Sequence, residues 1–253
     1  MVRDDGVGIG PVESILKFPF GDPQWQNKFL VGSVLSAAGV VIPLLPLVFV
    51  YGYGVAVMRR AVRGEGLSLP EWDDWGALGR DGLWALLAGF VYLLPALLVF
   101  FVSMGLYMAF ALGMPVLFAL LDDPAAALGL GILAPFGAMG LLFLAMFVGM
   151  VLALLGMIPL PAAIAHGVAS GEPAAAFRLR EVWAWIKANK WGYFTAWVIV
   201  AGLGAVLYTV LMAGYYTLVL ICLMPLLSAP LLFYVTVVGM GLFGTVYAAG
   251  TGG

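Results

Sequence analysis

The chain has 253 residues, 64% hydrophobic and 9% charged, with a formal net charge of −2. A soluble domain carries about a quarter charged residues, so a water-soluble globule is excluded, and the charge balance excludes the basic footprint of a nucleic-acid binder. The single cysteine, Cys222, excludes an internal disulfide or a cysteine metal cluster.

Charge is also segregated. Uncharged runs of 30 residues lie between Lys28 and Arg59, 40 between Asp81 and Asp122, 48 between Asp123 and Glu172, and 63 from Trp191 to Gly253. About 20 apolar residues cross the ~30 Å hydrocarbon core as a helix. Backbone groups in lipid must be paired internally, and the runs are continuous rather than alternating, so helices are expected and a barrel is excluded. The expected fold is all-α: a polytopic transmembrane bundle of about five to six membrane helices with short interfacial amphipathic helices. It is read as one integral membrane domain over residues 1–253.

Residues 1–28 mix Arg3, Asp4, Asp5, Glu13 and Lys17, without the basic head and short apolar core of a signal peptide. The first apolar run is therefore expected to remain in the mature protein. Ile15, Leu16, Phe18, Phe20 and Trp25 mark this N-terminal segment as interfacial. The first run itself is interrupted by Pro43 and Pro46, and proline removes a helix donor and crowds the preceding turn. It is either one kinked helix of ~45 Å or a hairpin of Phe29 to Ile42 and Leu44 to Met58, each ~21 Å long. The hairpin is favoured because it keeps Lys17 and Lys28 on the basic side.

The second polar stretch, 59–81, holds Arg59, Arg60, Arg63 and Arg80. Ser68-Leu69-Pro70-Glu71 has capping-box spacing with proline in the first turn, predicting an interfacial helix. Trp72, Trp75 and Trp84 then fall at the lipid surface, where indole is favoured. A membrane helix over roughly 82–112 is expected to end at Gly113 and Pro115. The break at Asp122-Asp123-Pro124 follows, and then a helix over roughly 125–157.

The third stretch, 172–190, holds Arg178, Arg180, Lys187 and Lys190. Leu179, Val182, Trp183 and Ile186 make an apolar stripe on an amphipathic helix. Two further spans, roughly 191–221 and 226–249, join at Pro225. Basic loops stay inside. This places 59–81, 172–190 and the C-terminus in the cytoplasm and Asp122-Asp123 outside, in a multi-pass protein of the cell membrane. The layout is a loose threefold repeat of an interfacial element followed by a pair of apolar helices.

Several of these residues recur in one order: Phe18-Pro19-Phe20-Gly21-Asp22-Pro23-Gln24-Trp25, Gly52-Tyr53 with Arg59-Arg60, Leu69-Pro70-Glu71-Trp72-Asp73-Asp74-Trp75-Gly76, and Asp81-Gly82. Phe177-Arg178, Ile186-Lys187-Ala188-Asn189-Lys190 and Gly192-Tyr193 follow. This pattern resembles the prokaryotic membrane family known as domain of unknown function number four thousand and thirteen. The resemblance implies a membrane protein without an established activity, and carries no catalytic or binding residue with it.

Glu71, Trp72, Asp73, Asp74, Trp75, Gly76 and Asp81 form the strongest candidate motif. Its carboxylates suit a divalent cation or a basic partner. The plainer reading is an interfacial helix start, with acids favoured by the helix dipole and neutralised by nearby arginines. His166, the only histidine, is a candidate axial ligand to a haem or chlorin, or a pH sensor. The plainer reading is a polar residue at the cytoplasmic end of its helix. Alone it cannot build a multi-ligand metal site, and the sequence implies no cofactor and no metal. Ala145, Gly149 and Ala153, with Gly244 and Ala248, have small-xxx-small spacing for helix packing.

No Asp, Glu, Lys or Arg lies inside an apolar run, where pumps and proton relays need them. Apart from His166 the polar residues there are hydroxyls such as Ser33, Ser36, Ser103, Thr209, Thr217 and Thr236, and no serine within the runs has a base beside it in sequence. The expectation is a non-enzymatic accessory, scaffold or assembly subunit. Its partners would be the lipid bilayer and other membrane subunits or a second copy of itself, with no nucleic acid. A permease or exporter of a neutral or lipid-like molecule, built on the Pro43 discontinuity, is the alternative.

Overall fold

A computed structural model of the chain describes residues 12–120, 123–216 and 223–251. The expectations placed on Arg3, Asp4, Asp5, Asp122, Thr217 and Cys222 lie outside the described residues. Among those described, the chain is all-helical and no strand is present. In order come α1 (Val12–Lys17), a 3-10 turn (Phe18–Gly21), α2 (Trp25–Val41), α3 (Leu45–Val62), α4 (Trp75–Ala119), α5 (Pro124–Met157), α6 (Leu160–Ser170), a second 3-10 turn (Pro173–Phe177), α7 (Leu179–Ala188), α8 (Lys190–Tyr215) and α9 (Met224–Thr251). Five helical stretches are long and apolar enough to cross a membrane: Leu45–Val62, Trp75–Ala119, Leu128–Ser170, Lys190–Tyr215 and Leu226–Thr251. The protein is a multi-pass membrane protein.

The first apolar run folds as the hairpin. Its arms are longer than the uncharged residues alone predict, because α2 starts at Trp25 and α3 continues through Arg59 and Arg60 to Val62. Each arm reaches ~26 Å. The turn is a γ-turn of the rare positive-φ kind: Leu45 N–H donates to the Pro43 carbonyl at 3.0 Å across Leu44, whose φ is 73°.

Three further boundaries depart from the expectation. Ser68 caps no helix, and residues 65–74 form an extended loop. The cap of α4 is instead Asp74, whose carboxylate accepts from Ala77 N–H at 2.9 Å. Gly113 and Pro115 do not end α4, which runs to Ala119. In lipid a proline costs one backbone bond, whereas ending the helix there would expose several unpaired groups. Pro225 sits in the first turn of α9 rather than between helices, where its missing N–H is lost anyway.

The chain forms two compact units, Met1–Ala88 with Pro159–Gly253, and Gly89–Ile158. The first is built around α9, which packs against α3, α2, α8 and α6. Phe233, Val237, Val238, Leu242 and Val246 of α9 are all but fully buried, as are Val50, Tyr53, Val55, Val57 and Met58 of α3. Early α4 joins this core through two glycines. A Cβ on Gly52 would collide with the Leu78 carbonyl, and a Cβ on Gly82 with the Val48 carbonyl. Only glycine lets the two backbones touch in this way.

The second unit is an antiparallel hairpin of the rest of α4 and all of α5. Gly156 lies against the Tyr92 carbonyl, Gly149 against the Ala96 carbonyl, and Gly131 against the Phe118 ring. Outside that seam its side chains are apolar and exposed, among them Phe101, Leu106, Phe136, Leu141 and Phe147.

Candidate functional site

The polar residues of the first unit gather where α2 begins, α3 ends, α4 begins and α9 ends. Three arrangements stand there. The first centres on Lys28, in the opening turn of α2. Its ammonium is 2.7 Å from Asp22 and 2.6 Å from Glu71, and donates to the Leu69 carbonyl at 3.1 Å. All three ammonium hydrogens thus have acceptors, which a buried cation requires. The Lys28 hydrogen bond, with the Gln24 backbone N–H, holds the Asp22 carboxyl below the usual carboxylate range.

The same loop is tied from other sides. Tyr53 donates its hydroxyl proton to the Pro70 carbonyl at 2.8 Å, and Arg60 donates to Ser68 and the Leu69 carbonyl. The Trp72 indole donates to the Lys28 carbonyl at 3.1 Å and stacks on the Tyr53 ring with centroids 4.2 Å apart. The loop is therefore a structural strap. Trp72 packs against the core of the bundle, while Trp75 is exposed and meets Phe49 edge-on.

The second arrangement is a cavity of about 360 Å³ lined by Arg59, Arg63, Arg80, Asp81, Trp84 and the loop after α6. Asp81 is buried and pairs with Arg59 at 2.7 Å. Among the described residues Arg63 ion-pairs only with Glu65, at 3.9 Å with both side chains exposed. The Trp84 indole donates to the Pro173 carbonyl at 3.1 Å, closing one wall. A Cβ on Gly167 would strike the Trp84 ring.

The third is a chain of hydrogen bonds through His166. Its Nδ1 is 2.7 Å from the Tyr247 hydroxyl and its Nε2 is 2.9 Å from the Glu181 carboxylate. A carboxylate only accepts, so Nε2 carries a proton and, in the neutral ring, Nδ1 accepts from tyrosine. The bonds join α6, α7 and α9. Since both ring nitrogens are engaged, neither is free to ligate a haem or chlorin without breaking one of them.

The acidic motif is dispersed by these roles. Glu71 pairs with Lys28, Asp74 caps α4, Asp73 accepts from Asp74 N–H, and Asp81 pairs with Arg59. Among the described residues no three His, Cys, Asp or Glu side chains come together as a metal site. Gly76 lies in the first turn of α4, open to solvent. Of the small residues, Gly244 packs on Met58 and Ala61, and Gly149 on Ala96 and Val99. Ala145 and Ala153 line shallow grooves along the α4–α5 hairpin, and Ala248 is half-buried on α9.

Sequence reasoning passed over Lys28 as an ion-pair centre and Gly52 and Gly82 as a backbone contact. Asp22 six residues before Lys28 was a usable signal, but Glu71 lies 43 positions away in a loop. The two glycines are on different helices, and no spacing within either one reveals their contact.

The chain matches the family described as "Protein of unknown function (DUF4013)" over residues 35–216. No curated protein and no solved structure matches it. The chain belongs to that family.

Proposed function

We propose that this member of the family is a non-enzymatic subunit of a membrane complex, an accessory, scaffold or assembly protein of the cell membrane. The first unit is its self-contained anchor, and the hairpin Gly89–Ile158 is the part that meets another membrane subunit. The observation that carries this reading is the hairpin's surface. It keeps a small-residue seam inside and exposes Phe101, Leu106, Phe136, Leu141 and Phe147, and two shallow grooves along it are lined by residues that include Ala145, Gly149 and Ala153. Without a hydrophobic driving force in lipid, helices associate through such grooves and small residues. The polar residues of the first unit support a structural rather than a catalytic use, since Lys28, Tyr53, Arg60 and Trp72 are each bonded to a backbone carbonyl.

We place the basic elements, α7 and the C-terminus in the cytoplasm, following the basic residues of 59–81 and 172–190. Each pair of spans then leaves and returns. A permease built on the Pro43 discontinuity has less support. Val41, Ile42, Leu44 and Leu45 are exposed around a hairpin turn, whereas a transport site needs a broken helix lining a cavity at the midplane.

Affinity purification in a gentle detergent tests the role. The expected result is a stable assembly with a defined second subunit, lost when Ala145→Leu and Ala153→Leu fill the grooves. A monodisperse monomer without any associated protein would sink the reading. In a Cys222→Ser background, a cysteine at Leu44 should label from outside intact cells and one at Ala188 only after permeabilisation. The reverse pattern would overturn the orientation.

A further inference from the structure

The arginine cavity has a charge balance that its own residues do not close. Its wall carries three guanidinium groups, Arg59, Arg63 and Arg80, against one carboxylate, Asp81, and that carboxylate already pairs with Arg59. Arg80 meets no acid among the described residues, and the only acid near Arg63 is Glu65, at 3.9 Å on the exposed rim. Guanidinium groups that converge on one space repel one another, and an anion between them relieves that repulsion.

The geometry of the cavity is set by rigid parts. Backbone contact at Gly52 and Gly82 fixes the crossing of α3 and α4. Arg59 lies about two turns beyond that contact on α3 and Arg63 caps the helix about one turn further on, while Arg80 lies on α4 between the two contact points, Leu78 and Gly82. The Arg59–Asp81 pair ties the two helices again. The far wall is held by the Trp84 bond to the Pro173 carbonyl, with the ring seated where only Gly167 leaves room. At about 360 Å³ the space is large enough for a phosphate group with its attached glycerol. Guanidinium forks match phosphate oxygens in pairs, and Arg59 and Arg63 with Arg80 approach from two different helices.

We propose that this cavity is a binding site for a phosphate group, with the arginine side chains of α3 and α4 as its ligands. Arg63 and Arg80 contact its free oxygens, and Arg59, held by Asp81, supplies the fixed charge beneath. Two sources carry that chemistry: the headgroup of an anionic phospholipid entering from the bilayer, and a soluble phosphate from the cytoplasm. The site stands independently of the subunit role proposed above, because it uses no residue of the hairpin.

The test uses the full chain in a nonionic detergent, with two probes applied separately: phosphatidylglycerol in mixed micelles, and inorganic phosphate. Bound probe is counted by native mass spectrometry and titration. The cavity variant is Arg63→Gln with Arg80→Gln, both exposed and outside the Arg59–Asp81 pair. The control, Arg180→Gln with Lys187→Gln, removes the same charge from α7. Each lost charge-assisted contact is expected to weaken binding by about tenfold. Loss of phosphatidylglycerol in the cavity variant, with the control within about twofold of wild type, supports a lipid-headgroup site. The same pattern for inorganic phosphate alone supports a soluble source. Absence of binding by either probe, or equal losses in the two variants, overturns the proposal, the second outcome showing diffuse surface charge. Arg80→Gln alone, expected to give about half the logarithmic effect, serves if the double variant fails to fold.

Discussion

The core of the first unit and the α4–α5 hairpin are made of the same residues used in opposite ways. On α3 and α9, half or nearly half of the most apolar 18-residue window is buried within the protein, while on the α5 stretch that share is 6%. Hydropathy runs the other way: it is 1.3 for α3 and 2.8 for the α5 stretch. The helix that reads as less hydrophobic is therefore the better packed. A helix surrounded by protein tolerates Tyr53, Arg59 and Arg60 because neighbours satisfy them. A helix surrounded by lipid has no such partners and must be apolar all round. In the α5 stretch the highest hydropathy of the five goes with a surface that the fold leaves uncovered.

Glycines separate packed positions from open ones. Replacing Gly82 by leucine should abolish the folded protein, at more than about 5 kcal/mol, because the obstacle is a backbone carbonyl that no rotamer change can move. The same change at Gly140, which has open space around it, should leave thermal stability within about 0.5 kcal/mol. Comparable losses at the two positions would erase the distinction. Next in size is Phe233→Ala, which empties a fully buried aromatic site and should cost about 3–5 kcal/mol. Phe143→Ala on the exposed hairpin face should cost a small fraction of that by the same unfolding measurement.

Lys28→Met should cost about 2–3 kcal/mol. This is less than a fully buried ion pair, because Glu71 is more than half exposed and water takes over part of the loss. The pair also sets an acid limit. The Asp22 pKa is depressed in the folded state, so its contribution is present above the ordinary carboxylate pKa. That contribution is lost as pH falls through the lower folded value. Unfolding followed from about pH 5 to pH 2 should show a destabilising step that Asp22→Asn removes. The smallest effect expected is a gain. Leu44 holds a positive φ of 73°, and Leu44→Gly should stabilise by about 1 kcal/mol by relieving it. A loss instead would show that the γ-turn is not strained.

The membrane spans were legible because charge is costly in lipid, and charge-free runs of 30 to 63 residues have no other use. The same signal misjudged helix ends. Lys28, Arg59 and Arg60 look like boundaries in sequence, yet α2 and α3 pass through them because Asp22, Glu71, Asp81 and the Leu69 carbonyl accept their protons. Ser68 looked like a cap because Glu71 follows at the right spacing. Glu71 is instead drawn to Lys28, and Asp74 takes the capping position. Local rules failed where a partner distant in sequence offered more. The site was half legible. Arg59, Arg63 and Arg80 were visible as a basic stretch, but their convergence depends on Gly52 meeting Leu78 and Gly82 meeting Val48 across two helices.

The division between a self-contained core and a hairpin with an exposed apolar surface is tested most directly by photo-crosslinking in intact membranes. A photoreactive amino acid is placed in turn at Phe101, Leu141 and Phe147 of the hairpin, and at Val198 and Tyr208, which are equally exposed on α8 of the first unit. The account predicts one discrete protein adduct of common mass from the hairpin positions, abolished by Ala145→Leu with Ala153→Leu, and only lipid adducts from α8. Lipid adducts alone at all five positions, or the same protein adduct from α8 as from the hairpin, would contradict it.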